Sequence, residues 1–208
     1  MSAKSLVVIS AGLSQPSSTR LLADRMAAEA ASLLREQRVE TAVQTFELRD
    51  VAGDIMNNML TGFPSPKLSA VIDAVSSADG LIAVTPIFTA SYSGLFKSFF
   101  DVIDNQALAG LPVAIGATAG TPRHSLALDH AIRPLFTYLH AVVVPTGVFA
   151  ASEDWGNGAD AVRALPDRIE RAAGELVPLV AASERSRQVH DPFALDGTFS
   201  PVGGFQPE

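Results

Sequence analysis

Cysteine is absent from the 208-residue chain, which excludes a disulfide framework, a thiolate metal site and a cysteine nucleophile. Basic residues are scarce. The 15 lysines and arginines stand against 22 aspartates and glutamates, and a net charge of −7 argues against a nucleic-acid partner. No apolar run approaches the ~20 residues of a membrane span, and the first residues lack the pattern of a signal peptide. We therefore expect a cytoplasmic globular protein without membrane association.

Short apolar runs alternate with helical patterns along most of the chain. Runs that are apolar on both faces predict strands of a parallel sheet covered on both sides. Strands are expected at residues 6–9, 39–48 (the weakest), 80–84, 112–116 and 141–144. Helices are expected at residues 22–34, 66–77, 95–103, 128–139 and 162–182, and Pro178 should kink or end the last one. The pattern predicts an α/β fold, a flavodoxin-like three-layer sandwich with a five-stranded parallel sheet in the order 2-1-3-4-5.

The end of the chain has a different composition. Residues 184–208 contain Pro, Gly and Asp and, without periodicity, five large apolar side chains: Phe193, Leu195, Phe199, Val202 and Phe205. Burying each of these gains ~1.5–3 kcal/mol, which favours docking over a frayed terminus. We expect residues 1–183 to form one domain and residues 184–208 to form a C-terminal arm that lies across a partner subunit.

The loop between the first strand and the first helix is rich in hydroxyl groups. Ligands of open α/β sheets bind beyond the carboxyl ends of the strands, and a helix N-terminus favours an anion. Ser10, Ser17, Ser18 and Thr19 are therefore candidate phosphate-binding residues, although one serine is explained equally well as a helix N-cap. The loop has neither a G-x-x-x-x-G-K-[ST] nor a G-x-G-x-x-G sequence, which disfavours a P-loop and a Rossmann dinucleotide site.

Two further loops follow the third and fourth predicted strands. The first combines a stiff Thr-Pro dipeptide with exposed aromatics and small hydroxyls, which suits a flat heteroaromatic ring; an ordinary loop with core aromatics is the alternative. Its candidate residues are Thr85, Pro86, Ile87, Phe88, Ser91, Tyr92, Ser93 and Gly94. In the other, Thr118, Ala119 and Gly120 allow close approach to backbone, or form a simple tight turn. Together the three loops predict a mononucleotide site, and the lack of Lys in the phosphate loop favours FMN over ATP.

Two segments carry a specific resemblance. ADGLIAVTPIF at 78–88 and YSGLFKSFFD at 92–101 resemble the T-P-x-Y and Y-S-G-x-L-K-x-x-x-D motifs of the NAD(P)H-dependent FMN reductases, with Phe88 in place of the family tyrosine. The resemblance covers residues 4–182. It implies an enzyme that transfers hydride from NADPH or NADH to FMN, with no catalytic acid or base, and that assembles as a homodimer or homotetramer. Amides around Ile87, Phe88 and Gly120 would stabilise the reduced ring.

A second, narrower resemblance concerns one helix. LALDHAIRPL at 126–135 is similar to the alkanesulfonate-monooxygenase flavin reductases, in which an inserted Tyr or His opens a π-bulge, and His130 occupies that position. The resemblance implies that reduced FMN is supplied to a separate luciferase-like monooxygenase. A surface histidine is the alternative explanation of His130. The four histidines lack the spacing of a metal site, so no metal is expected.

Several functional alternatives stay open on the sequence. A quinone or azo-compound reductase with bound FMN is the nearest. A non-enzymatic flavin electron carrier is disfavoured, because the first loop of true flavodoxins resembles T/S-x-T-G-x-T and this chain lacks that sequence. A structural or partner-binding protein is a further alternative. The sequence does not separate NADH from NADPH, although Arg20 and Arg123 are available for a 2′-phosphate.

Overall fold

Strands and helices alternate through residues 3–155 and 165–187, the parts of the chain that the computed structural model describes. The strands are β1 Lys4–Ser10, β2 Thr41–Glu47, β3 Gly80–Phe88, β4 Ser91–Tyr92, β5 Pro112–Ala119, β6 Val142–Val143 and β7 Val148–Ala151. The α-helices are α1 Ser18–Glu36, α2 Ala52–Thr61, α3 Pro66–Ser76, α4 Gly94–Asp101, α5 Arg133–Tyr138 and α6 Leu165–Ala182. A π-helical turn, Leu128–Ile132, runs directly into α5, and short 3₁₀ turns include Leu48–Val51 and Ser152–Trp155.

The sheet has the order β2-β1-β3-β5, followed by β6 and β7, and all of these strands are parallel. The predicted flavodoxin-like sandwich and its strand order are confirmed. The predicted strand count is wrong, because β4 forms a short antiparallel hairpin with β3 and the fifth position is divided between β6 and β7. Pro145, between β6 and β7, has no N–H to donate to a ladder, and pairing with β5 resumes at Val148.

The residues of β1, β3, β5 and β7 are almost completely buried because helices cover both faces of the sheet there, whereas those of the edge strand β2 are exposed or half-buried. Alternate residues enter different layers: Val7 and Ile9 pack with α2 to α5, whereas Leu6 and Val8 pack against α1 and α6. The first layer includes a cluster of aromatic side chains from α4 and α5, Phe96, Phe99, Phe100 and Phe136. These two apolar layers hold the ends of the strands, and the loops that follow them, in place.

Two helices depart from the sequence predictions. Helix α2 was not predicted, although Ile55, Met56, Met59 and Leu60 recur at helical spacing; of these four only Ile55 is buried. Helix α6 continues past Pro178 to Ala182, so Pro178 does not end it as the sequence suggested. No helix in the described parts is long and apolar enough to span a membrane.

The chain after α6 is held at the amino edge of the sheet. The Arg185 guanidinium donates to the carbonyls of Ser76, Ala78, Ala107 and Ala109, and the Asp79 carboxylate accepts from the amides of Ser5 and Ser186. This edge is opposite the carboxyl ends of β1, β3 and β5. The remainder of the predicted arm, residues 188–208 with its five large apolar side chains, lies outside the described residues.

Candidate functional site

A cleft of about 400 Å³ opens at the carboxyl edge of the sheet, within the size range of small-molecule sites. All three loops singled out from the sequence border it. It is lined by Gly12, Leu13, Ser14, Ser18, Thr19, Pro86, Ile87, Phe88, Thr118, Ala119, Gly120, Ser152 and Trp155.

The first turn of α1 faces this cleft. Its first amides have no acceptor within the helix, the turn contains no acidic residue, and Ser18 and Thr19 lie on the cleft wall. Thr19 Oγ1 is 2.8 Å from Thr118 Oγ1, so a hydrogen bond joins the first loop to the third. Free amides, a positive helix end and adjacent hydroxyls are the groups that bind a phosphate.

Two of the predicted phosphate residues have other positions. Ser17 is the N-cap of α1, where its Oγ accepts from the amide of Arg20 at 3.2 Å, and it does not line the cleft. Ser10 is completely buried at the end of β1, and its Oγ has no hydrogen-bond partner in the described part of the chain. The N-cap interpretation is therefore correct for Ser17.

The second loop divides into a wall and its support. Pro86, Ile87 and Phe88 line the cleft, and Phe88 is 48% exposed. Thr85 and Ser93 are buried behind them: Thr85 Oγ1 donates to the carbonyl of Pro86 and accepts from the amide of Ser93 at 3.1 Å. These two hydroxyls hold the Pro86 wall and the start of α4 together.

The rest of the second loop turns away from the cleft. Ser91 and Tyr92 form β4, Tyr92 packs on the ring of Phe96, and Gly94 begins α4. The β3–β4 turn places Thr89 and Ala90 at φ of 48° and 69°, a left-handed conformation that a two-residue hairpin requires. Of the residues predicted here, Thr85, Ser91, Tyr92, Ser93 and Gly94 do not line the cleft.

The structure adds residues that the sequence analysis did not select. Ser152 and Trp155 follow β7, and the apolar run VFAA before Ser152 was the available signal for that strand. Gly12, Leu13 and Ser14 lie within the phosphate loop. A Cβ at Gly12 would lie 2.1 Å from Ser17 Oγ, so the loop can approach the N-cap of α1 only with glycine here.

A cluster of charged side chains contacts the phosphate loop at Ser14. Arg49 donates to the carbonyl of Ser14 at 2.7 Å and pairs with Glu47 at 2.5 Å. Arg20 bridges Glu47 and Asp24, and its hydrogen bond to Asp24 raises its pKa. These ion pairs hold the Arg20 guanidinium against Asp24 and Glu47, and Glu47 in turn links it to Arg49.

Among the residues that the structure describes, none that lines the cleft has a titratable side chain; the polar side chains of this lining are hydroxyl groups or the indole N–H. Such a site offers neither a general acid nor a general base, and the described residues contain no cluster suited to a metal ion. It suits a ligand that carries its own redox chemistry. A family model described as NADPH-dependent FMN reductase matches residues 5–156.

The chain belongs to this FMN reductase family.

Relatives of this reductase agree with the assignment. It is 38% identical to an FMN reductase (NADPH) of Pseudomonas aeruginosa over 84% of this chain and 91% of the relative. It is 34% identical to the NADH-dependent FMN reductase SfnE of Pseudomonas putida, over 88% and 96% of the two chains. Among solved structures, an oxidoreductase from Corynebacterium diphtheriae has 49% identity and a TM-score of 0.82, covering 86% of this chain and 97% of that one. The predicted family, enzyme class and FMN and nicotinamide cofactors are confirmed.

The residues of the cleft fit FMN. The α1 end, with Ser18 and Thr19, suits the phosphate, and the hydroxyls of Thr118 and Ser152 suit a polyol chain. The apolar and aromatic side chains of Pro86, Ile87 and Phe88 suit a flat ring. A Cβ at Gly120 would meet no protein atom within 4 Å, so glycine there leaves space on the cleft side of the third loop.

His130 lies outside the cleft of the reductase. It is exposed within the π-helical turn Leu128–Ile132, where the amide of Arg133 reaches the carbonyl of Leu128 five residues back. This agrees with the widened turn expected at His130. Arg133 also donates to the carbonyls of Val144 and Pro145, so the turn is tied to the break between β6 and β7.

Proposed function

We propose that the protein transfers a hydride from NADPH or NADH to FMN that enters and leaves this cleft as a substrate. FMN, the reduced nicotinamide nucleotide and one proton give reduced FMN and the oxidised nucleotide. The observation that carries the proposal is the cleft itself: a helix N-terminus with hydroxyls beside a wall of Pro86, Ile87 and Phe88, and no titratable side chain among the described lining residues. The flavin supplies the redox chemistry, and the protein binds and orients it.

The residues divide the work by position. Ser18, Thr19 and the free amides of α1 hold the phosphate, with charge-assisted hydrogen bonds worth ~1.5–3 kcal/mol each. Pro86, Ile87 and Phe88 form one wall for the ring, and the 118–120 loop forms another. Backbone amides of these loops stabilise the negative charge of the reduced ring, because none of the described residues in the lining is cationic.

The half-exposed Phe88 and the uncharged lining favour exchange of FMN over permanent retention. The test measures flavin per subunit in purified protein, and NADPH and NADH oxidation with and without added FMN. We expect substoichiometric flavin and oxidation that depends on added FMN. Stoichiometric bound flavin with reduction of quinones or azo dyes would establish the alternative reductase, and no oxidation of either nucleotide would refute the proposal.

We further propose that the protein is a cytoplasmic homodimer or homotetramer that supplies reduced FMN to a separate monooxygenase of a two-component system. The π-helical turn at His130, exposed on the surface, supports this role through the resemblance described above. To test the supply, a purified flavin-dependent luciferase is given this reductase as its one source of reduced FMN, and its light output is measured. Light scattering measures the assembly. A monomer, or no light despite rapid FMN reduction, would refute the respective part.

A further inference from the structure

Trp155 is the only tryptophan in the chain, and it lines the cleft without having been selected from the sequence. It ends the short 3₁₀ turn Ser152–Trp155 that follows β7. Its side chain is partly buried and packs against the apolar layer between the sheet and helices α1 and α6. A large aromatic ring therefore closes one side of the cleft, and the other polar side chains that line the cleft are small hydroxyl residues.

Contacts outside the cleft hold this ring in place. The guanidinium carbon of Arg25 lies 5.1 Å from the centroid of the Trp155 ring, a cation–π contact. The neighbouring Asp154 accepts from the amide of Ala151 at 2.8 Å and from Arg168, and Arg168 also donates to the carbonyl of Phe149. Helices α1 and α6 thus each contribute an arginine that orients the turn carrying Trp155.

These contacts place Trp155 on the side of the cleft that α1 and α6 cover. Arg25 lies on the same helix as Ser18 and Thr19, about two turns further along. The ring and the first turn of α1, which suits the phosphate, border the same cleft. FMN ends at that phosphate, whereas FAD continues into a second phosphate and an adenosine.

We infer, on the basis of the proposed function, that Trp155 is a specificity-determining residue that contacts the flavin beside its phosphate and excludes flavin dinucleotides. The indole, held from behind by Arg25, occupies the space that the second phosphate and adenosine of FAD need. The same ring narrows the site around the monophosphate, so its removal weakens FMN binding while opening the site to FAD.

The test is direct binding of FMN and FAD, measured by flavin fluorescence or equilibrium dialysis without nicotinamide nucleotide. For Trp155→Ala we expect the ratio of the FAD to the FMN dissociation constant to fall at least about fivefold. Trp155→Phe keeps a ring and should stay within about twofold of the wild-type ratio. Leu13→Ala, which shortens another apolar side chain of the cleft, is the matched control and should also keep the ratio.

The outcomes separate this inference from the proposed function. If wild-type protein binds no FMN, the proposed function fails. If it binds FMN but FAD equally well, or if Trp155→Ala keeps the wild-type ratio, only the role of Trp155 is refuted. An equal shift in Leu13→Ala also refutes it, because selectivity would then not depend on the position of the indole. Should Trp155→Ala fail to fold by circular dichroism, Trp155→Leu replaces it and must shift the ratio in the same direction.

Discussion

Replacing Gly12 by alanine tests whether the phosphate loop and the N-cap of α1 form one unit. The new Cβ would lie 2.1 Å from Ser17 Oγ and 3.2 Å from the Cβ atoms of Ser17 and Thr19. The first distance is too short to exist, so Ser17 Oγ must rotate away and its hydrogen bond from the amide of Arg20 is lost. Gly12 has no left-handed φ, so no backbone strain adds to this effect.

The magnitude follows from the lost cap. Removing a serine N-cap costs about 1 kcal/mol, with a range of ~0.5–2 kcal/mol. We expect Gly12→Ala to lower the free energy of unfolding by about 1–2 kcal/mol, because the displaced loop adds to the cap. FMN affinity should fall as well, since Ser18 and Thr19 in the first turn of α1 line the cleft.

A double-mutant cycle makes the prediction specific. Urea denaturation and FMN titration are measured for Gly12→Ala, Ser17→Ala and the double variant, with Gly53→Ala as a control because a Cβ there meets nothing within 4 Å. If the alanine at position 12 acts through the cap, both single variants lose the same hydrogen bond. The double variant should then lose about 1 kcal/mol less free energy of unfolding than the two single variants lose together. Strictly additive effects, or a Gly12→Ala variant with wild-type stability, would refute the reasoning.

Three further predictions concern other parts of the molecule. Joint replacement of Ser18 and Thr19 by alanine should weaken FMN binding about tenfold or more, since each phosphate hydrogen bond is worth ~1.5–3 kcal/mol; an unchanged dissociation constant would remove the loop from the site. Burial raises the pKa of Asp79, but hydrogen bonds from two serine hydroxyls and two backbone amides outweigh it, so the pKa is lowered. Asp79→Asn should therefore be less stable than wild type near neutral pH, and the difference should shrink as the pH falls below about 4, through the folded-state pKa, in urea titrations; a pH-independent difference contradicts this. Deleting His130 should give a regular helix and a protein that retains FMN through gel filtration, and a colourless variant argues against that role.

Local patterns were sufficient for the architecture. Residues 6–9 and 80–84 are apolar without interruption, which occurs when both faces of a strand are covered, and helices lie between such runs; parallel order and right-handed crossovers then leave few arrangements. The same logic placed the three loops at one edge of the sheet. Two elements were not predicted from the sequence. Helix α2 was missed although four of its residues are apolar at helical spacing, and β7 follows a break that made residues 141–144 look like the whole fifth strand.

By itself, the sequence determined the fold class, the family and the loops that meet at the cleft, because hydrophobic periodicity and motifs are written in neighbouring residues. Only the tertiary structure decided which side chains of those loops face the ligand. Ser18 faces the cleft while Ser17 caps the helix, and Phe88 forms a wall while Thr85 supports it from behind. Trp155 joined the site for the same reason. Its place depends on Arg25, which contacts the ring, and on Arg168, which holds the neighbouring Asp154; both arginines reach this turn only because α1 and α6 pack side by side on the sheet.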